Sequence, residues 1–317
     1  MRILVCPLNW GLGHASRCVP LIRRMISDGH EVIIGSDGYP LAFLRQEFPN
    51  LQSTELPSYR IRYSSGKSQI GAMLRNMPRI LSTIFREHHW LKKFSTANDI
   101  DMVISDNRFG LWNSRIPSVY ITHQLMIKMP PGLKWMEGFA WRAHRMIINR
   151  YTSCWIPDVN TEANLSGDLS HKYPLSGKAE FIGILSRFEG LEHSQANTDY
   201  ETVCLLSGVE PQRSIFQEEL TERFRHSKEK VLIVKGQPQK EKTIDQVDSL
   251  TLVSHLSTDE MAAYFLGAKK IVSRSGYSTI MDLATLNCLS KAELSPTPGQ
   301  PEQVYLCEYH LAKRNLS

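Results

Sequence analysis

The chain opens on a short apolar run at 3–6, bounded by polar and turn residues, and the same pattern recurs at 31–35, near 51–56, at 101–105 and at 118–122. Each run has strand length and is too continuously apolar for a half-exposed surface helix. After the first run, Cys18, Leu21, Ile22, Met25 and Ile26 recur at helical spacing, and Asp28-Gly29-His30 supplies a stop. Pro20 falls early in this helix, where it disrupts least. Apolar strands alternating with helices predict a parallel sheet covered on both faces. A polar, aperiodic stretch at 186–200 interrupts the pattern, which then restarts. Strands are predicted at 203–206, 231–235, 250–254 and 270–273, with helices ending near Arg225, over 258–266 and after Gly276. The reading is α/β: two Rossmann-like domains with parallel sheets facing across a cleft, at 1–185 and 200–317, joined by a linker at about 186–199.

Residues 59–94 break the alternation. Met73, Leu74, Met77, Ile80, Leu81, Ile84 and Phe85 make an apolar helical stripe beside Arg75, Arg79, Arg86, Lys92 and Lys93. One reading is an amphipathic helix packed on the sheet; the other is a basic, apolar face that meets a membrane.

The 317 residues suffice for two domains, and 42% hydrophobic with 22% charged residues describes a folded chain. A net charge of +5 is too weak to predict nucleic-acid binding. It suits anionic ligands or an anionic membrane surface. The six cysteines form no CxxC pair, so no structural zinc site is expected. Cys6 and Cys204 read as buried free thiols, which points to the cytoplasm. No apolar run approaches the roughly 18 residues of a membrane span. Residues 1–8 read as a first strand and not as a signal peptide.

The candidate chemistry lies in turns that follow strands. Gly11-Leu12-Gly13-His14 follows the first strand and starts a helix; Ser207-Gly208 and Ser275-Gly276 repeat that placement in the second half. Helix N-termini offer unpaired N–H groups and partial positive charge, so each is a seat for an anion. Glycines there let a ligand approach the main chain. His14 has a pKa suited to proton transfer and would lie at the mouth of the sheet; capping the helix is its structural alternative. Arg187, Arg213 and Arg274 are candidates to fork onto phosphate oxygens. Asp282 and Glu302 could accept hydrogen bonds from ribose hydroxyls or be solvated acids. Asp106-Asn107-Arg108 and His123-Gln124 follow strands on the His14 side, as acceptor-site residues or plain loop residues. His88-His89 lacks partner ligands and reads as surface.

At these residues the chain resembles a GT-B glycosyltransferase, and more narrowly glycosyltransferase family 28, the group of MurG, which adds N-acetylglucosamine to a lipid-linked acceptor. Gly11 to His14 resembles the family's N-terminal glycine loop, with Gly13 on the acceptor side. His123-Gln124 resembles its acceptor-side histidine segment. The segment with Arg187 is similar to the one whose arginine meets the donor diphosphate. Ser207-Gly208 through Arg213 resembles the second glycine loop. Leu256-Ser257 sits where the backbone reads the nucleotide base. Ser275-Gly276-Tyr277 through Asp282 looks like the phosphate and ribose segment, and Gln300, Glu302 and Gln303 resemble the loop and side chains that hold the sugar. Two departures stand out. Residues 288–295 are polar and only weakly strand-like where a strand is expected, and the sequence stops at Ser317, where family members usually continue into a helix returning to the first domain.

The resemblance implies an inverting, metal-independent transfer from a UDP-sugar to the hydroxyl of a glycan or lipid-linked acceptor. His14 would be the general base, the donor a co-substrate, and no further cofactor is implied. Peripheral contact with an anionic membrane on the cytoplasmic face is the expected association. A UDP-sugar 2-epimerase and a non-catalytic binding protein for a nucleotide sugar or membrane surface remain the alternatives.

Overall fold

The computed structural model describes residues 1–59, 69–130, 132–238 and 241–316. The first half runs β1 (Arg2–Pro7), α1 (Gly13–Ser27), β2 (Glu31–Ser36), α2 (Gly38–Glu47), β3 (Gln52–Glu55), α3 (Gln69–Ala97), β4 (Met102–Asp106), β5 (Ser118–Ile121), α4 (Glu137–Ile148), β6 (Ser153–Ile156), α5 (Asp168–His171) and β7 (Ala179–Phe181). Its seven strands form one parallel sheet in the order β3-β2-β1-β4-β5-β6-β7. The second half runs β8 (Thr202–Leu205), α6 (Gln212–Phe224), β9 (Val231–Val234), β10 (Ile244–Val247), β11 (Leu250–Val253), α7 (Thr258–Gly267), β12 (Lys270–Arg274), α8 (Tyr277–Thr285), β13 (Ala292–Ser295) and α9 (Pro301–Leu316). Its sheet order is β10-β11-β9-β8-β12-β13, parallel except for β10.

The inner strands of both sheets are buried on both faces, as continuous apolar strands require. Val5, Ile34, Ile104 and Ile121 pack under α1 and α2; Leu4, Ile33 and Val103 face Leu91 of α3 on the other side. In the second sheet Val203, Leu232 and Ile271 pack with Met261 and Phe265 of α7, and Cys204, Ile233 and Val272 pack with Phe216 and Leu220 of α6. All six cysteines are free and buried. An apolar cluster joins the halves: Leu165 and Leu169 of the first touch Tyr277, Ile280, Met281 and Leu306 of the second.

Two expectations at the C-terminus are corrected. Residues 292–295 do form a strand, paired in parallel with β12. This edge position buries only Ala292 fully, and the intervening Glu293 pairs outward with Arg223 at 2.5 Å and Lys270 at 2.6 Å. An edge strand needs one covered face only, so its polar residues are tolerated. A helix returning to the first domain is also present within the sequence. In α9, Tyr309 hydrogen-bonds Asn164, His310 bonds the Leu165 carbonyl, and Lys313 donates to the carbonyls of Glu162 and Asn164.

Helix α3 buries Asn76, Ile80, Thr83, Glu87 and Leu91, with Leu91 on the sheet and Ile80 on Leu8 and Tyr59, and leaves Met77, Leu81 and Phe85 exposed, Phe85 at 74%. Exposed Arg79, Arg86, Lys92 and Lys93 flank that outer face. The side chains of Met73, Leu74 and Arg75 lie outside the described residues. Among the described residues, no helix is long and apolar enough to cross a membrane.

Candidate active site

Asp106 ends β4 in register with Pro7 of β1, which brings it beside the turn that leads into α1. It is fully buried, and His14, on the first turn of α1, meets it with Nδ1 to Oδ1 at 2.7 Å. Arg17, one helical turn further along the same face, bonds both oxygens of the carboxylate, with Nε to Oδ2 at 2.5 Å. Arg17 Nη2 also stands 2.9 Å from His14 Nδ1 but is turned to the carboxylate by its shorter bond to Oδ1; a carboxylate only accepts, so His14 donates to Asp106 through Nδ1 and Nε2 is the ring atom left to take a proton. Burial pushes the His14 imidazole below its usual range, against the pull of Asp106. Burial would raise the Asp106 carboxyl, but Arg17 and His14 outweigh it and hold it down at about 2. The pair is therefore a neutral imidazole on a fixed carboxylate.

Arg17 reaches further. Its Nη1 lies 3.0 Å from His123 Nδ1, and His123 Nε2 lies 2.8 Å from Oε1 of Glu302 in the second half. The His123 ring stacks on Tyr277 at 4.2 Å with planes 7° apart, and the Tyr277 hydroxyl donates to the Pro157 carbonyl at 2.8 Å. Burial would raise the Glu302 carboxyl, but the hydrogen bond from His123 and the nearby Arg17 guanidinium bring it below its ordinary value. The residues expected on acceptor and donor sides thus meet in one interdomain cluster.

The two glycine turns face each other. Gly11 and Gly208 adopt φ of +87° and +96°, and a Cβ on Gly11 would stand 3.3 Å from the Gly208 Cα. A Cβ on Gly13 would stand 2.8 Å from Ser278 Oγ, which itself donates to the Gly13 carbonyl at 2.9 Å. Beside this approach lies a cavity of about 220 Å³, lined among others by Asn9, Tyr39, Ser207, Gly208 and Arg213. Arg213 is buried and bonds Glu210 and the Lys235 carbonyl, the latter at 3.1 Å. Leu256 is buried in the core just before Ser257, whose side chain caps α7.

Other predicted donor residues are placed in tight local networks. Gly276 is the N-cap of α8, and Ser275 donates to the Gln303 carbonyl at 2.8 Å. The Gln303 side chain donates to Gln300 at 2.7 Å and accepts from the Thr297 amide at 2.8 Å, which pins that loop. Asp282 is buried and engaged by Ser186 Oγ at 2.6 Å and Ser16 Oγ at 3.3 Å, so its carboxylate serves the domain junction. Burial raises its carboxyl against the pull of Arg187. Arg187 is buried beside Phe188 and Phe43, at 4.8 and 5.5 Å from their ring centroids. Among the described residues, its Nε has no hydrogen-bond partner.

Arg17 was not singled out from the sequence; its place three residues after His14, on the same helical face, was the available signal, but its role depends on Asp106. A second buried group holds Arg108, which the sequence offered as an acceptor-site or plain loop residue. Arg108 pairs with Glu87 of α3 at 2.8 Å and with Asp37 at 2.5 Å, while Asn9 bonds Asp37 at 2.9 Å. This ties α3 to the turn after β1. Among the described residues, no three His, Cys, Asp or Glu side chains are grouped to hold a metal ion.

No family model matches the chain. An "uncharacterized glycosyltransferase" of Methanosarcina acetivorans is 32% identical over 168 residues, 50% of this chain and 42% of that protein. One from Methanosarcina mazei is 26% identical over 148 residues, 45% of this chain and 36% of that one. The matches thus span less than half the length of these curated relatives. Among solved structures, the Streptomyces sp. SF2575 glycosyltransferase SsfS6 complexed with thymidine diphosphate aligns over 98% of this chain and 86% of its own, at 14% identity and a TM-score of 0.55. The glycosyltransferase SnogD from Streptomyces nogalater aligns over 99% and 95%, at 14% and 0.55. The spinosyn rhamnosyltransferase SpnG complexed with thymidine diphosphate aligns over 100% and 92%, at 11% and 0.54. Two parallel-sheet α/β domains, aligned along their whole length with such structures, give this chain the GT-B glycosyltransferase fold.

Proposed function

We propose that this protein transfers a sugar from a nucleoside-diphosphate sugar to an acceptor hydroxyl in a single inverting displacement, as the family 28 resemblance implies. The observation that carries the reading is the His14–Asp106 pair at the domain junction, two residues beyond Leu12 of the interdomain cavity. His14 Nε2 takes the proton of the acceptor hydroxyl. The acceptor oxygen then bonds to the anomeric carbon as the bond from that carbon to the diphosphate breaks, and the nucleoside diphosphate leaves. Asp106 keeps the ring in the competent tautomer and stabilises the imidazolium that forms. The leaving charge falls to the Gly208 turn, the N-terminus of α8 at Gly276, Arg187 and Arg213.

UDP is the nucleotide implied by the resemblance; thymidine diphosphate is what SsfS6 and SpnG hold in their complexes. Melting temperature against UDP, TDP and GDP separates them, because a nucleotide bound only by the folded chain raises it. A sugar product on the acceptor supports transfer; an epimerised free sugar supports the 2-epimerase reading; no shift with any nucleotide removes the donor site. The acceptor is proposed to be glycan or lipid-linked and presented at an anionic membrane, on the exposed Met77, Leu81 and Phe85 with their flanking cations. Failure of the protein to sediment with anionic vesicles at low salt rejects that part.

A further inference from the structure

We infer that His123 is a donor-side positioning residue: it reaches across the domain junction and aims the Glu302 carboxylate at the transferred sugar. The inference deepens the reading above and rests on it.

His123 follows β5 of the first domain, on the side expected to meet the acceptor, but its ring has no nitrogen to spare for one. Arg17 is a donor only, so His123 Nδ1 accepts from it at 3.0 Å. The proton of the neutral ring therefore sits on Nε2 and is donated to Glu302 Oε1 at 2.8 Å. The ring plane is set by the stack on Tyr277, and the residue is 7% exposed. Tautomer, plane and direction are thus each determined by a different neighbour, one of them Arg17, which is itself held by Asp106.

Glu302 is less enclosed, with 29% of its side chain exposed. A carboxylate accepts at two oxygens, and His123 takes only Oε1, so Oε2 can accept from a sugar hydroxyl. The orientation of that oxygen is set from the opposite domain, and it exists only when the halves meet as they do here. A nucleoside diphosphate without its sugar makes no use of it. The arrangement makes sugar recognition, and not nucleotide recognition, sensitive to His123.

His123→Phe keeps the ring stack and removes the donor, and His123→Gln restores an N–H donor of similar reach. In the full chain, His123→Phe is expected to raise the KM for the donor sugar about tenfold, the scale of one hydrogen bond to a charged group. It should leave the acceptor KM and the affinity for the free nucleoside diphosphate unchanged. His123→Gln should recover part of the loss, and Glu302→Gln combined with His123→Phe should cost no more than the larger single effect. A rise in acceptor KM with donor KM unchanged would overturn the inference and return His123 to the acceptor side. Equal loss of free nucleotide affinity would show a merely structural role. If the unaltered protein binds no nucleotide, the functional reading fails first, and that outcome is distinct from either.

Discussion

In the first domain the candidate site is made of side-chain charge: Asp106 and Arg17 are at most 1% exposed and engage each other, His14 and His123. In the second it is made largely of main chain, the left-handed turn at Gly208 and the helix start at Gly276, with Arg213 tied to its own turn through Glu210. The first arrangement fixes a proton's position before any ligand arrives; the second leaves N–H groups that an incoming anion can satisfy. Transfer chemistry needs both, because a base must be aimed in advance while a donor must be able to enter and leave.

The contrast can be broken most forcefully at the two arginines. Arg17→Met strands the buried Asp106 carboxylate and should cost about 3 kcal/mol in a urea titration, as removal of one partner from a buried pair does. Arg213→Met should cost clearly less, because its partner Glu210 is about half exposed, while weakening nucleotide binding. Equal losses of stability would erase the distinction. Next in size, His14→Ala should lower kcat at least about 100-fold and leave the nucleotide-induced rise in melting temperature intact; near-normal turnover rejects the base assignment. The acid limb of kcat/KM should lie below the ordinary histidine pKa, since burial lowers that of His14.

Stability against pH sharpens the first half of the comparison. The Asp106 carboxyl is depressed in the folded state, so its contribution is present above the unfolded value, near 4, and is lost as pH falls toward about 2. The expected loss is about 2 kcal/mol, and an Asp106→Asn chain should lack that part of the acid transition. The smallest effect belongs to the second half. Among the described residues, Gly208→Ala meets nothing within 4 Å but carries φ of +96°, so it should cost about 1 kcal/mol of backbone strain. A matching loss in nucleotide affinity, read by titration calorimetry, would show that the turn's shape is what the anion uses.

Much of this was readable from local pattern. The runs that became β1, β2, β4, β5, β8, β9, β11 and β12 are continuous and apolar because both their faces are covered, and that composition is local information. Turn glycines such as Gly11 and Gly208 were visible for a similar reason, since a positive φ selects the residue without reference to the rest of the chain. The strand β10 was not, because Ile244-Asp245-Gln246-Val247 is exposed throughout and sits at the sheet edge on its antiparallel partner, with Asp245 paired to Lys235. β13, at the other edge of that sheet, is polar but only partly exposed, with Ala292 buried and Glu293 held in ion pairs.

The sequence by itself determined two α/β halves, their strand-to-helix turns and a histidine at the first of them. Only the tertiary structure decided what the polar groups do. Asp106 became the partner of His14 and Arg17, Asp282 was drawn to Ser16 across 266 residues, and Glu302 to His123 across 179. The physical reason is that apolar burial repeats with the period of the element and so leaves a trace along the chain. A buried hydrogen bond depends on one donor and one acceptor meeting within about 3 Å, and nothing local records which distant residue will be there.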